Sequence, residues 1–266
     1  MRKMFKIAGK VGLITGGATG IGAAIARNLL EAGLKGIAIV DINERDGLES
    51  VSKLNEEFGK SSSVFIRADV SVREQLDDAF KKTVKTFNNL DIVVNNAGRL
   101  EDSEWEATIG INLVGTVNGT ILAYEHYLPT YKSDDETVIV NISSMAALHR
   151  YPLAPIYASA KAGIIALTRS LGCGPHYKRT KIKTLAICPG ITSTAILDVK
   201  EDHFLGPAYF RMYQDLLRSS PPQPISAVSN AVIKVIKEGR SGSLWAVEHS
   251  REPVELNFQF EPKSKL

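Results

Sequence analysis

The segment Thr15-Gly16-Gly17-Ala18-Thr19-Gly20-Ile21-Gly22 constrains the fold of this chain most, because it joins a short β-branched apolar run directly to an amphipathic stretch. Glycines at such a junction let the backbone turn tightly from strand to helix. The amides and dipole of the helix N-terminus then favour an anionic group such as a pyrophosphate. Gly16, Thr19, Gly20, Ile21 and Gly22 are therefore candidate dinucleotide-binding residues. Many glycine-rich segments merely turn the chain; the strand before this one and the helix after it give it meaning.

Short apolar runs alternate with amphipathic stretches along the whole chain. Residues 11–15, 37–41, 64–66, 91–94, 138–142, 182–187 and 244–247 read as seven strands. Their hydrophobicity is continuous rather than alternating, which predicts strands covered on both faces. Between them, Ile21, Ile25 and Leu29 recur at helical spacing with Gly33 as a C-cap. Ser71-Val-Arg-Glu74 reads as a capping box opening a helix with Leu76, Phe80, Val84 and Phe87 on one side. Such repetition needs crossover connections, so the expected fold is α/β: a single doubly wound (Rossmann) domain spanning residues 1–266, with a mainly parallel seven-stranded sheet and helices on both faces. No linker or internal repeat divides it. The least regular part, 194–224, carries His203, Gly206, Pro207, Tyr209, Phe210 and Tyr213, and reads as a substrate lid before the last strand; a short C-terminal tail follows that strand.

Open α/β sheets bind ligands beyond the carboxyl ends of their strands. Asp41 ends the second strand about twenty residues after the glycine turn, where a carboxylate accepts hydrogen bonds from ribose hydroxyls and repels a 2′-phosphate. With Thr at position 19 and no Arg or Lys in the turn, this points to NAD over NADP, although Arg45 lies near. Ile42, Asp69, Val70 and Asn96 occupy equivalent strand ends, suited to an adenine edge and a nicotinamide ribose. An isolated Asp, or the turn-like Asn95-Asn96-Ala97-Gly98, would by itself carry no such meaning.

Tyr157 and Lys161 lie four residues apart in a helical segment, hence on one face. A phenol with a pKa near 10 is a poor base at neutral pH, so proton transfer through it needs a neighbouring cation. Lys161 supplies one, and Ser144, thirteen residues before Tyr157, can hold a reacting oxygen. Singly, these would read as a surface pair and a strand-ending hydroxyl that caps the next turn.

In this order, the glycine turn, Asn-Asn-Ala-Gly, Ser144, Tyr157 and Lys161 resemble the classical short-chain dehydrogenase/reductase family over essentially the whole chain. The resemblance implies that Asn112 is a fourth catalytic residue, holding a water that links Lys161 to solvent. Without the family, Asn112 is a polar residue inside a helix that satisfies a kink. It also implies that Pro189, Thr192 and Thr194 hold the nicotinamide carboxamide, that Lys161 lowers the tyrosine pKa and holds the nicotinamide ribose, and that Tyr157 as phenolate takes the hydroxyl proton while hydride passes to the nicotinamide. Leu90-Asp-Ile-Val-Val-Asn-Asn-Ala-Gly98, Trp105-Glu, Ile111-Asn-Leu-Val114 and Ile187-Cys-Pro-Gly-Ile-Thr-Ser-Thr-Ala-Ile-Leu197 are similar to the NAD-dependent 15-hydroxyprostaglandin dehydrogenases and the related insect alcohol dehydrogenase group. Ala154 aligns with those enzymes' substrate-binding glutamine, which argues against prostaglandin itself. The expected activity is NAD-dependent hydride transfer with a secondary alcohol or ketone of a hydrophobic substrate (fatty, prostanoid-like, isoprenoid or steroid), and NAD favours oxidation. The alternative is a catalytically silent relative serving as a storage or NAD-binding scaffold protein; retention of Asn112, Ser144, Tyr157 and Lys161 argues against it.

The 32 basic and 29 acidic residues give a net charge of +3, spread along the chain, so neither nucleic acid nor a membrane is an expected partner. Cys173 and Cys188 form no close pair and read as reduced intracellular thiols. His126, His149, His176, His203 and His249 are scattered without metal-ligand spacing, and no metal is expected. Asn118-Gly-Thr120 and Asn141-Ile-Ser143 fall in apolar segments that leave no room for a glycan. Ser264-Lys265-Leu266 at the carboxyl terminus matches the address read by peroxisomal import receptors, placing the protein in the peroxisome, with cytoplasm the alternative. Helices around 103–128 and 155–173 carry Ile109, Leu113, Val117, Ile121, Leu167 and Leu171, more apolar surface than one sheet face covers. The family pairs such helices, so a homodimer or homotetramer is expected.

Overall fold

The computed structural model describes residues 4–257, so the terminal tripeptide Ser264-Lys265-Leu266 lies outside the described residues. Seven parallel strands form the sheet: β1 (Val11–Thr15), β2 (Gly36–Asp41), β3 (Ser63–Arg67), β4 (Ile92–Asn95), β5 (Thr137–Ile142), β6 (Ile182–Pro189) and β7 (Leu244–Val247). An eighth, β8 (Val254–Glu255), pairs antiparallel with β7. The order is β3-β2-β1-β4-β5-β6-β7-β8, so the order of strand addition reverses between β1 and β4, which themselves run parallel. The seven-stranded expectation is corrected by one. The two-residue β8 pairs only Trp245 with Glu255 and Ala246 with Val254, too short to leave a periodic signal.

Helices cover both faces because successive strand residues point to opposite sides. Ile37 and Ile39 of β2 join Ile14, Val94, Val140 and Ile187 beneath α1 (Gly20–Glu31), α2 (Glu44–Phe58) and α10 (Ile225–Glu238). Ala38 and Val40, one residue out of phase, join Leu13, Val93 and Ile139 beneath α3 (Arg73–Phe87) and the helix that runs from Trp105. That long helix comprises α4 (Trp105–Ile109), α5 (Gly115–Ile121) and α6 (Leu128–Tyr131), interrupted by wider π-type turns at Gly110–Val114 and Leu122–Tyr127. Pro155 opens α7 (Pro155–Leu171), which leads to the short α8 (Gly174–Thr180).

The capping box at Ser71 is not formed. The α3 N-cap is Val72, and the Ser71 hydroxyl instead donates to Asp69 Oδ1 at 2.7 Å. Asp69 and Gln75 do the equivalent work across a wider span: Asp69 Oδ1 accepts from Ser71 N at 2.9 Å, and Gln75 Oε1 accepts from Asp69 N at 2.9 Å. Segment 194–224 is more regular than its sequence suggests, because α9 (Pro207–Ser219) occupies its middle. Its root is clasped by Gln223, which is buried. Gln223 Nε2 donates to Val247 O at 2.8 Å and to Thr192 Oγ1 at 3.2 Å, while its backbone exchanges bonds with Ile191 and Ser193.

Candidate active site

A cavity of about 840 Å³ opens beyond the carboxyl ends of the parallel strands, on both sides of the reversal between β1 and β4. Gly16, Thr19, Gly20, Ile21, Asp41, Ile42, Asp69, Val70, Asn96, Ser144, Tyr157, Lys161, Pro189, Thr192 and Thr194 all line it. Gly22 and Asn112 do not. Gly22 packs against the Gly16 carbonyl, where any Cβ would overlap that oxygen, so its role is to close the turn.

The first half of the cavity suits a dinucleotide. Gly20 adopts φ +57° to place α1 behind the turn, and α1 carries no acidic residue in its first turn, leaving its amides and dipole for an anion. One Asp41 oxygen accepts from Ala18 N in the glycine turn at 3.1 Å and the other from Asn43 N at 3.0 Å. The carboxylate is thereby fixed at the cavity edge with lone pairs left for diol hydroxyls. Asn96 is more committed than its position suggests: Nδ2 donates to the Thr15 and Gly16 carbonyls at 3.1 and 2.9 Å, so the side chain braces the glycine turn. Thr192 Oγ1 donates to Gly190 O at 2.9 Å and Thr194 Oγ1 to Thr192 O at 3.3 Å, which shapes the bend after β6.

In the second half, β5 and α7 bring the reactive groups together. Ser144, two residues beyond β5, accepts from Ala146 N at 3.1 Å, so the expected turn cap exists. Its hydroxyl also lies close enough to the Tyr157 phenol to favour the ionised form of that phenol. Lys161 is 3% exposed, with Nζ donating to Ile142 O at 3.0 Å and lying 5.7 Å from the Tyr157 ring centroid. Burial lowers the Lys161 pKa to about 8, since desolvation penalises the ammonium. Burial also raises the Tyr157 phenol above its ordinary value, partly opposed by the nearby Ser144 hydroxyl. The protein groups alone therefore leave Tyr157 protonated, and its ionisation depends on further positive charge in the cavity.

Asn112 lies in the first π-type turn, buried, with Oδ1 accepting from Arg99 N at 2.9 Å and Nδ2 donating to Arg99 O at 2.8 Å. This bidentate grip fixes the loop after β4. Gly98 separates Asn112 from the ammonium: a Cβ there would stand 2.8 Å from Asn112 Oδ1 and 3.3 Å from Lys161 Nζ, so only glycine keeps that gap open.

Sequence reasoning missed several residues. Asp102, 1% exposed, accepts from Ile156 N at 2.8 Å and Tyr157 N at 2.9 Å, capping α7 from a distant loop where Ala154 offers no side-chain cap. Burial raises its pKa, with the two amide bonds opposing. His149, His203 and His249, apparently scattered, converge on the cavity wall; among the described residues no His, Cys, Asp or Glu group has the clustering of a metal site. The lid divides its apolar residues between two tasks. Phe204, Phe210 and Tyr213 pack on one another at centroid distances of 5.2–6.3 Å, while Ile196, Val199 and Leu216 face the cavity. Ala154 is wholly buried under the same cluster.

Comparison with known proteins matches residues 10–203 to the short chain dehydrogenase family. Human 15-hydroxyprostaglandin dehydrogenase [NAD(+)] is 35% identical over 247 residues, covering 91% of this chain and 92% of the relative. The 3beta-hydroxysteroid dehydrogenase 2 of Eggerthella lenta is 32% identical, covering 84% of this chain and 87% of its own. Fat body protein 2 of Drosophila melanogaster is 26% identical, with 92% and 94% covered. Among solved structures, a short chain dehydrogenase/reductase from Burkholderia phymatum in complex with NAD superposes with a TM-score of 0.76 at 23% identity, covering 88% of this chain and 87% of that one.

Proposed function

The chain belongs to the short-chain dehydrogenase family, and on that premise we propose that it is an NAD-dependent oxidoreductase moving a hydride between the nicotinamide and a secondary alcohol or ketone of a hydrophobic substrate. The observation that carries this reading is the placement of Tyr157 next to Ser144 with the Lys161 ammonium 5.7 Å from the same ring centroid, inside one cavity with the glycine turn and Asp41. When bound, the nicotinamide supplies a two-electron acceptor and a positively charged ring. Ser144 holds the substrate oxygen, Tyr157 takes the hydroxyl proton at its phenolic oxygen, and Lys161 supports the phenolate electrostatically. Asp41, held by the amides of Ala18 and Asn43, would accept from the ribose hydroxyls of NAD and would oppose a 2′-phosphate. The relative named for NAD(+) supports the same choice.

Ile196, Val199, Leu216 and Leu100 give the substrate end of the cavity its apolar walls. Met145 and Ala146 complete that surface, which suits an aliphatic or fused-ring alcohol. Incubating Tyr157→Phe with NAD and a panel of secondary alcohols, and following NADH absorbance, tests the assignment. Turnover should fall roughly 10²- to 10⁴-fold with the Kd for NAD unchanged; unchanged turnover refutes it.

Ile109, Leu113, Val117, Ile121, Leu167 and Leu171 are all only half-buried and Val114 is exposed, which supports pairing of these helices with a second copy. Sedimentation as a monomer at micromolar concentration removes that part of the reading.

A further inference from the structure

The cavity holds a second phenol. Tyr151 lines it and packs, together with Tyr157, against Leu100, Leu153, Ala154, Phe204 and Tyr213 under segment 194–224. Neighbouring polar groups are already engaged: Tyr213 donates to Leu197 O at 2.6 Å, Asp102 accepts from the Ile156 and Tyr157 amides, and Arg99 pairs with Glu101 and Glu104. Among the described residues nothing bonds the Tyr151 hydroxyl. Its oxygen is not among the buried side-chain atoms that lack a partner, so the hydroxyl is open to the cavity and free to donate to whatever occupies it.

Its chemistry fixes what that partner is. Burial first, then the nearby Tyr157, Tyr213 and Asp102, oppose its ionisation, so Tyr151 stays a neutral O–H donor across the working pH range. The same closeness to Tyr157 puts that donor near the place where the carbinol reacts. We infer that Tyr151 is a second oxygen-recognition point: the substrate carries, within a few bonds of its carbinol, another hydrogen-bond-accepting oxygen to which the Tyr151 hydroxyl donates. This rests on the reading that the site handles a secondary alcohol or its ketone, and it narrows the class to oxygenated alcohols such as diols, hydroxy ketones and alkoxy alcohols.

Two readouts test it, one without turnover. In the first, calorimetry on the NAD-loaded enzyme compares octan-2-one with 3-methoxy- and 4-methoxyoctan-2-one, in which the added oxygen only accepts. One neutral hydrogen bond corresponds to roughly fivefold in Kd, so at least one methoxy ketone should bind wild type about that much tighter than octan-2-one. Tyr151→Phe should bind all three alike, with the Kd for NAD unchanged. No preference in wild type overturns the inference, as does a preference that survives in Tyr151→Phe. The wild-type comparison stands by itself should the variant fold poorly. In the second, the matching alcohols are oxidised: Tyr151→Phe should raise KM for the methoxy alcohols and leave kcat and KM for octan-2-ol intact. Equal loss for all alcohols overturns a specificity role. Absence of NADH from every alcohol with wild type would sink the dehydrogenase reading, while the binding comparison still decides whether Tyr151 recognises a second oxygen.

Discussion

Replacing Asp102 separates the worth of its shape from that of its charge. The carboxylate is 1% exposed, and its two partners are the amides of Ile156 and Tyr157, at 2.8 and 2.9 Å. In Asp102→Ala both amides lose their acceptor at a helix start that has no other side-chain cap. At about 1–3 kcal/mol for each buried group left unsatisfied, partly relieved by water entering the vacated space, the expected cost is about 2–4 kcal/mol. Asp102→Asn keeps one acceptor oxygen and removes the buried charge. Because desolvation outweighs both amide bonds in setting the Asp102 pKa, relief of that desolvation offsets the lost bond, and the cost should stay within about 1 kcal/mol. The sign with pH follows. A carboxyl whose folded-state pKa is raised is increasingly disfavoured as pH rises from its unfolded value through its folded value, so wild type should lose stability relative to Asp102→Asn across that acidic window. Urea denaturation at several pH values measures all three quantities. Turnover adds a fourth, since fraying the first turn of α7 displaces Tyr157: Asp102→Ala should lose about tenfold or more in kcat at an unchanged Kd for NAD. A cost below about 1 kcal/mol for Ala, or a larger cost for Asn than for Ala, refutes the reasoning.

Lys161, with its folded pKa lowered to about 8 from 10.5, binds fewer protons folded than unfolded between those values. Wild type without cofactor should therefore gain about 2 kcal/mol relative to Lys161→Met between pH 8 and roughly pH 9.5, read by denaturant titration. Asp41→Ser removes the acceptor pair and the charge that opposes a 2′-phosphate, so the kcat/KM ratio of NAD to NADP should fall at least about tenfold. A ratio that does not move would remove Asp41 from cofactor choice. Gly22→Ala places a methyl on the Gly16 carbonyl, and fluorescence titration should show NAD binding lost while the protein remains folded by circular dichroism.

What the sequence made legible is local. The glycine turn, the i, i+4 pair Tyr157 and Lys161, and the acid at the end of β2 are each set by spacing within one or two elements, and the structure gathers them into one cavity. The residues that escaped notice act across long separations. Asp102 reaches Tyr157 over 55 positions, and Arg99 is gripped by Asn112 over 13. His149, His203 and His249 line one cavity only because β5, the segment after β6, and β7 end on the same side of the sheet. Periodicity also misled where polar residues compete: Ser71-x-x-Glu74 has the pattern of a cap, but the Asp69 carboxylate is a stronger acceptor two residues earlier and takes the hydroxyl. Which lid residues face the cavity was not legible either, because composition records apolar area without recording which neighbour covers it.

The clasp at Gln223 has a further meaning for how such an enzyme changes. The chain leaves the β6 end at Thr192 and returns to it at Gln223, joined by side-chain and backbone bonds that also anchor to Val247. The part of this segment beyond Thr194 is rooted at that clasp, so insertions or exchange there would alter which molecule is admitted without loosening the bend after β6. A duplicated copy could acquire a new diet by rewriting that insert alone, keeping its redox machinery as inherited.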